Sequence, residues 1–284
     1  MTRGILIAAA MGWALAAPAA AQTAAEKLPL FDAHLHYSQS AWAAVPLARA
    51  RAQLAAAGVV MAAISSTPDE GTMQLYRADA DGFVPVLRPY LTGEDISDWH
   101  HKPSTPGYLA ERLKLGVHKG IGEFHLSGRQ AEGTVVEQTV ALAVAGNLIL
   151  HAHSDEDAVK RLFAMDGRAR VLWAHAGFTS ADRVKAMMAA YPNLWVEFAI
   201  RGDVAGASGL QADWRDLVMT YPDRILVGSD TYIVSRWQSY AEIMGEVRDW
   251  LLKLPPEVGQ KLAYRNALKL FGVDEERFRK RLRQ

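Results

Sequence analysis

Past residue 28 the chain alternates short, nearly continuous apolar runs with longer stretches in which apolar residues recur every three or four positions. The first kind reads as strands buried on both faces, the second as amphipathic helices. Strands are predicted over 30–36, 59–65, 83–91, 118–126, 148–153, 170–177, 194–200 and 225–230. Helices are predicted between them, among others over 46–57, 106–115, 134–145, 155–165, 180–191 and 213–221. Cap residues and acids mark several helix starts, as in Ser154-Asp155-Glu156-Asp157 and Thr179-Ser180-Ala181-Asp182. Eight strand–helix repeats imply parallel strands joined by crossover helices, and roughly 250 residues is the size of a (β/α)8 TIM barrel. An open, doubly wound sheet usually carries a Gly-rich turn after its first strand; this chain has Asp32-Ala33-His34-Leu35-His36 there instead. A last amphipathic helix over 260–271 is expected to close the base. The longest irregular stretch, 92–106, follows the third strand and is expected over the barrel mouth as a lid or substrate loop.

Chemistry gathers at the ends of these strands. Alternate strand residues share a face, so His34 and His36 point the same way and form a ready metal chelate. Four later apolar runs end in a further candidate ligand: Glu123, His151, His175 and Asp230. A barrel carries its active site at the C-terminal ends of its strands, so the fold brings all six side chains to one mouth. Any one of them alone reads more simply as a hydrogen-bonded structural group, and Glu123 alone as a partner for Arg88. Together they read as a metal site, because charged or imidazole groups at buried strand ends are costly unless they bind something.

Composition narrows the choice further. With 31 basic and 31 acidic residues the formal net charge is zero, and no basic run suggests a nucleic-acid partner. Cysteine is absent, so neither a disulfide nor a thiolate is available. Residues 1–21 have the form of a secretory signal: Arg3, an apolar stretch over 5–17, Pro18, and Ala19-Ala20-Ala21 before Gln22. The mature chain, 28–284, is therefore expected as a single periplasmic or secreted domain that acts on a small molecule. Neither a nucleic acid nor, once the signal is removed, a membrane is expected as a partner, and homo-oligomers are left open. No Ser stands in a Gly-x-Ser-x-Gly elbow, which argues against a serine hydrolase.

The order His-x-His, Glu, His, His, Asp on strands one, four, five, six and eight resembles the amidohydrolase superfamily of metal-dependent hydrolases. It resembles the amidohydrolase-related branch, with a ligand order similar to that of TatD-like hydrolases. The tail Ala263-Tyr264-Arg265-Asn266-Ala267-Leu268-Lys269-Leu270-Phe271 resembles the ends of many such barrels. The resemblance implies one or two divalent ions, zinc first, with manganese, iron or cobalt as alternatives. It implies that His34 and His36 bind one ion, that His151 and His175 bind a second, and that Glu123 bridges them in place of a carbamylated lysine. Asp230 would ligate a metal and take the proton from the bridging water. A one-ion arrangement would use His34, His36, His175 and Asp230, leaving Glu123 and His151 behind the ligands or against substrate. His125 and His153 are spare candidates on the same strand faces.

Arg88, Arg201 and Tyr232 are candidate substrate-binding residues, each arginine able to clamp a carboxylate or phosphate or simply to pair with a barrel acid. Trp99, His100 and Trp237 could line an apolar pocket, and Glu197 is expected inside the barrel. The function expected first is hydrolysis of an amide, ester or lactone by a metal-activated water. The alternatives are a metal-dependent decarboxylase, a TatD-like phosphoesterase or nuclease, and a non-catalytic metal-binding scaffold.

Overall fold

The computed structural model describes residues 28–283, and the signal expected over 1–21 lies outside them. The strands are β1 (Leu30–Leu35), β2 (Val59–Ile64), β3 (Phe83–Leu87), β4 (Gly120–Leu126), β5 (Ile149–Ser154), β6 (Arg170–Trp173) and β7 (Leu194–Glu197). A small hairpin, β8 (Ala205–Gly206) and β9 (Gly209–Leu210), precedes the last barrel strand, β10 (Ile225–Leu226). Strands β1 to β7 and β10 pair in parallel in chain order, giving the expected (β/α)8 TIM barrel.

Two residues of β10 pair with β7, but the chain beyond them continues along β1 and nearly closes the barrel. Ala33 N–H donates to the Val227 carbonyl (2.9 Å), Asp230 N–H to that of His34 (2.7 Å) and His36 N–H to that of Thr231 (3.0 Å).

Two apolar layers result from strands buried on both faces. The outer layer joins Leu30, Leu35, Ile121, Phe124 and Val171 to the helices. The inner layer fills the barrel with Phe31, Met61, Val84, Val86 and Leu172, and the helix Asn266–Phe271 plugs its base; it is shorter than expected and not the last, because the helix Glu275–Leu282 follows and adds Phe278 to that layer. Phe271 stacks on Phe31 with ring centroids 5.8 Å apart. Asp155 caps the helix Glu156–Met165, its carboxylate accepting from Ala158 N–H at 2.8 Å. Among the described residues no helix is long and apolar enough to cross a membrane.

Strands three, six, seven and eight stop short of their expected ends, and after the last three the backbone turns. After β6, His175, Ala176 and Gly177 all take positive φ (55°, 47° and 64°), and after β7 Ile200 does so (56°). The 92–106 stretch is more ordered than a loose lid. It holds 3-10 turns at Gly93–Ser97 and Trp99–His101. The Trp99 indole is fully buried beside Phe124 and donates to the His125 carbonyl at 2.8 Å. Trp237 is likewise a core residue, stacked on Tyr240, so neither tryptophan lines the mouth.

Candidate active site

Two bulges aim the first ligands. Along β1 the pairing steps from Asp32↔Ala62 to Leu35↔Ile64, three residues against two, so Ala33 and His34 both face inward. Along β4 it steps from Gly122↔His151 to Phe124↔Ala152. Ile121 and Phe124 both belong to the outer layer, leaving Gly122 and Glu123 between them on the inside. Position 122 tolerates only glycine: φ is +135°, and a Cβ there would lie 2.2 Å from the His151 carbonyl oxygen. Gly122→Ala is expected to cost at least about 1–3 kcal/mol through overpacking and to displace Glu123. Urea unfolding checks the first effect and metal content the second; unchanged values for both would show that the strand has room.

His34, His36, Glu123 and Asp230 are all buried, with ligand atoms that lie within 4.8 Å of one another. Asp230 Oδ1 is 3.1 Å from His36 Nε2 and 3.4 Å from His34 Nε2. Glu123 Oε2 is 3.3 Å and 3.5 Å from the same two nitrogens. His175 Nε2 approaches both carboxylates, at 3.6 Å from Glu123 and 3.7 Å from Asp230. His151 stands against His34, ring centroids 4.4 Å apart, and groups with His34 and Glu197. The structure thus brings all six candidate ligands into one cluster. Asp230 reaches it on a left-handed turn (φ 45°) just beyond β10.

The far side of three rings is held, which orients the free nitrogens inward. His34 Nδ1 donates to Glu197 Oε1 (3.0 Å), His175 Nδ1 to the Ala199 carbonyl (2.8 Å) and His36 Nδ1 to the Ser65 carbonyl. Glu197 also accepts from the backbone N–H of His175 (2.8 Å) and of Ala199 (2.5 Å). Ser65 accepts from Glu123 N–H at 3.3 Å. Glu197 was legible as one more charged residue ending an apolar run; Ser65 and the Ala199 carbonyl carry no signal in the sequence.

The electrostatics are those of an anionic pocket. Burial opposes ionisation of Asp230, yet His34 and His36 outweigh it and hold the carboxyl below its usual range. Burial is likewise overcome at Glu123 by His34, His153 and His175, and at Glu197, held down to about 2, by His34 and His175. Burial pushes His151 down and keeps it a neutral imidazole. Burial would do the same to His34, but Asp230, Glu123 and Glu197 pull its pKa well above the ordinary value. Three buried carboxylates thus converge, and one guanidinium, Arg88, bonds one of them: its Nη2 lies 3.3 Å from Glu123 Oε2. His151 Nε2 and His175 Nε2 are buried without hydrogen-bond partners. Unpaired buried nitrogens beside converging ionised carboxylates are what a cation would satisfy, so this donor set fits a divalent metal.

The remaining candidates sit around the cluster. Arg88 also donates from Nε to the Glu123 carbonyl (3.0 Å), so it braces Glu123. Arg201 stacks on Trp214, pairs with Asp203 (2.7 Å) and donates to the His175 carbonyl (2.9 Å), bracing the turn that carries His175. Tyr232 is 44% exposed on the rim. Of the spare histidines, His153 Nδ1 donates to Glu123 Oε1 (2.9 Å), and His125 exchanges hydrogen bonds with the Tyr90 hydroxyl.

Comparison with solved structures returns the same fold. An amidohydrolase from Burkholderia multivorans with bound zinc is 17% identical, with 87% of this chain and 100% of that chain covered and a TM-score of 0.57. A candidate 2-pyrone-4,6-dicarboxylic acid hydrolase from Pseudomonas putida is 18% identical (87% and 98% covered, TM-score 0.59). A TatD homolog from Escherichia coli K12 is 15% identical (86% and 98% covered, TM-score 0.60). No curated protein matches the chain. The amidohydrolase family profile matches residues 13–273, nearly the whole chain, and with it this protein belongs to the amidohydrolase family of hydrolases.

Proposed function

We propose that this hydrolase is metal-dependent and cleaves an amide, ester or lactone bond of a small molecule. The observation that carries the reading is the convergence of Glu123, Asp230 and Glu197 with four buried imidazoles and a single guanidinium. His34, His36, Glu123 and Asp230 would hold an ion, and His151 and His175 supply the donors for a second. Zinc is the first candidate, with manganese, iron and cobalt next, because imidazole and carboxylate donors accept all four. A divalent ion bound there supplies Lewis acidity, lowering the pKa of water toward neutrality and polarising a carbonyl.

The chain's own residues do the rest. Asp230 lies 6% exposed at the floor of the mouth and ionised, positioned to accept a proton from water and return it to the leaving group. Its Oδ1 faces His34 and His36 and its Oδ2 faces His175, which fixes the plane of the carboxylate. Arg88 holds Glu123 at its carbonyl and at Oε2, and His153 holds it at Oε1. No side chain is asked to act as a nucleophile.

Elemental mass spectrometry on the purified protein tests the reading. About two ions per chain are expected if Glu123 is shared between them, and about one if a single ion sits on His34, His36, His175 and Asp230. Chelation should abolish hydrolysis and readdition restore it. A protein that binds no ion after reconstitution, or that hydrolyses without one, would remove the metal from the mechanism.

A further inference from the structure

The rim of the barrel differs sharply from its floor. Among the described residues, several large apolar side chains stand exposed on the loops that follow barrel strands: Leu91 after β3, Phe178 after β6, Ile200 after β7, and Tyr232 and Ile233 after β10. They are 42–55% exposed. Exposed apolar residues scattered singly mean little, but a ring of them around one opening marks a binding surface. Phe178 is the most exposed of the five at 55%, and its ring stacks directly on His175, centroids 4.7 Å apart and 26° between planes. It also lies 5.7 Å from the His153 ring, so the apolar rim is continuous with the candidate metal cluster.

Backbone conformation adds an independent sign. Phe178 and Ile200 both take positive φ (49° and 56°), which bulky and β-branched residues adopt rarely and at a cost. Neither joins the apolar layers below, and Phe178 lies against the cluster imidazoles.

The cations near the site point the same way. Arg88 is taken by Glu123, and Arg201 by Asp203 and the carbonyls of His175 and Thr179. Arg236 bonds the carbonyls of Asp230 and Ser229. A dicarboxylate or phosphodiester would need such a group as a clamp.

We infer that the substrate of this site carries an uncharged apolar group, an aromatic ring or an acyl chain, that lies on Phe178 and the neighbouring rim while its scissile carbonyl reaches the cluster. The assignment rests on the hydrolytic reading above for the carbonyl, but not for the apolar group. Phe178 sets the preference, because it is the one rim residue stacked on a cluster imidazole.

The test is a calorimetric titration of the holoprotein with N-alkyl acetamides from butyl to octyl, and with a succinylated analogue that carries a terminal carboxylate. The affinity is expected to rise roughly two- to fourfold per methylene, the value for partial to full burial of a CH2. In Phe178→Ser the same series should flatten to under about twofold overall; that side chain is more than half exposed, and unchanged thermal unfolding would confirm an intact fold. A flat series in the unsubstituted protein, or tighter binding of the carboxylate analogue, would overturn the inference. Turnover of lactones, esters and amides is measured separately. Chain-length dependence without any turnover would remove the hydrolytic reading and leave the apolar subsite standing, whereas turnover with a flat series would do the reverse.

Discussion

Asp230→Asn is expected to lower kcat by about 10²–10⁴-fold, the range for loss of a positioned proton acceptor, while the fold stays intact. Asparagine has nearly the shape of aspartate and can still place one oxygen toward His36, but its amide cannot take a proton at neutral pH. The backbone at 230 is left-handed, with φ at 45°, a region where asparagine is at least as comfortable as aspartate. The Asp230 N–H bond to the His34 carbonyl belongs to the main chain and survives the change. Three measurements separate the explanations. A fall in kcat with KM and metal content within about threefold of the starting protein identifies the carboxylate as the acid–base group. A fall that tracks lost metal makes Asp230 a ligand and no more. Full activity with full metal content would exclude it from both roles.

The largest effect on stability and metal binding together is expected at Glu197. Its carboxylate is inaccessible to solvent and serves three donors: His34 Nδ1, His175 N–H and Ala199 N–H. Glu197→Ala strands all three, and each buried donor left without a partner costs about 1–3 kcal/mol. The sum, on the order of 3–5 kcal/mol after local relaxation, is a large share of the stability of an ordinary domain. The same change frees the His34 ring to rotate, which should weaken metal binding about 10–100-fold. Glu197→Gln keeps the volume and an accepting oxygen but removes the charge. It should recover most of the stability and only part of the metal affinity. Competition against a chromophoric chelator reads the affinity, and urea unfolding of the metal-free protein reads the stability. If Glu197→Ala left both untouched, the hydrogen bonds assigned to it would carry nothing.

These two residues also mark the boundary of what could be read from sequence. The barrel was legible because parallel strands buried on both faces leave a simple trace, continuous apolar runs with helical spacing between them. Asp230 was legible for the same reason, as a charge ending such a run. Glu197 ends one too, but its partners, His34, His175 and Ala199, are set by the register of β1, β6 and β7, which no local pattern encodes. The bulges that turn His34 and Glu123 inward were invisible apart from Gly122. The two arginines show the limit most plainly. Arg88 and Arg201 both looked able either to meet substrate or to pair with a barrel acid; Arg88 is held by Glu123, a pairing the sequence allowed, and Arg201 by Asp203, which it did not single out. The 92–106 segment lacked periodicity, and its order comes from the buried Trp99 indole and the buried Asp95 carboxylate rather than from a repeating face.

The hydrogen bonds that run from the chain beyond β10 to β1 have an implication for how the protein comes into being. His34 and Asp230 meet across that seam, almost two hundred positions apart in the chain. A ribosome extending the chain therefore releases the paired imidazoles early and their aspartate close to the end. Until then the barrel lacks its last stave, and the emerging polypeptide exposes His34 and His36 without Asp230 to complete their set. Such a half-built site should hold the proposed ion weakly, so its capture is expected only once synthesis is nearly complete. The docking of that last strand would thus set the earliest moment at which the proposed ion could be held.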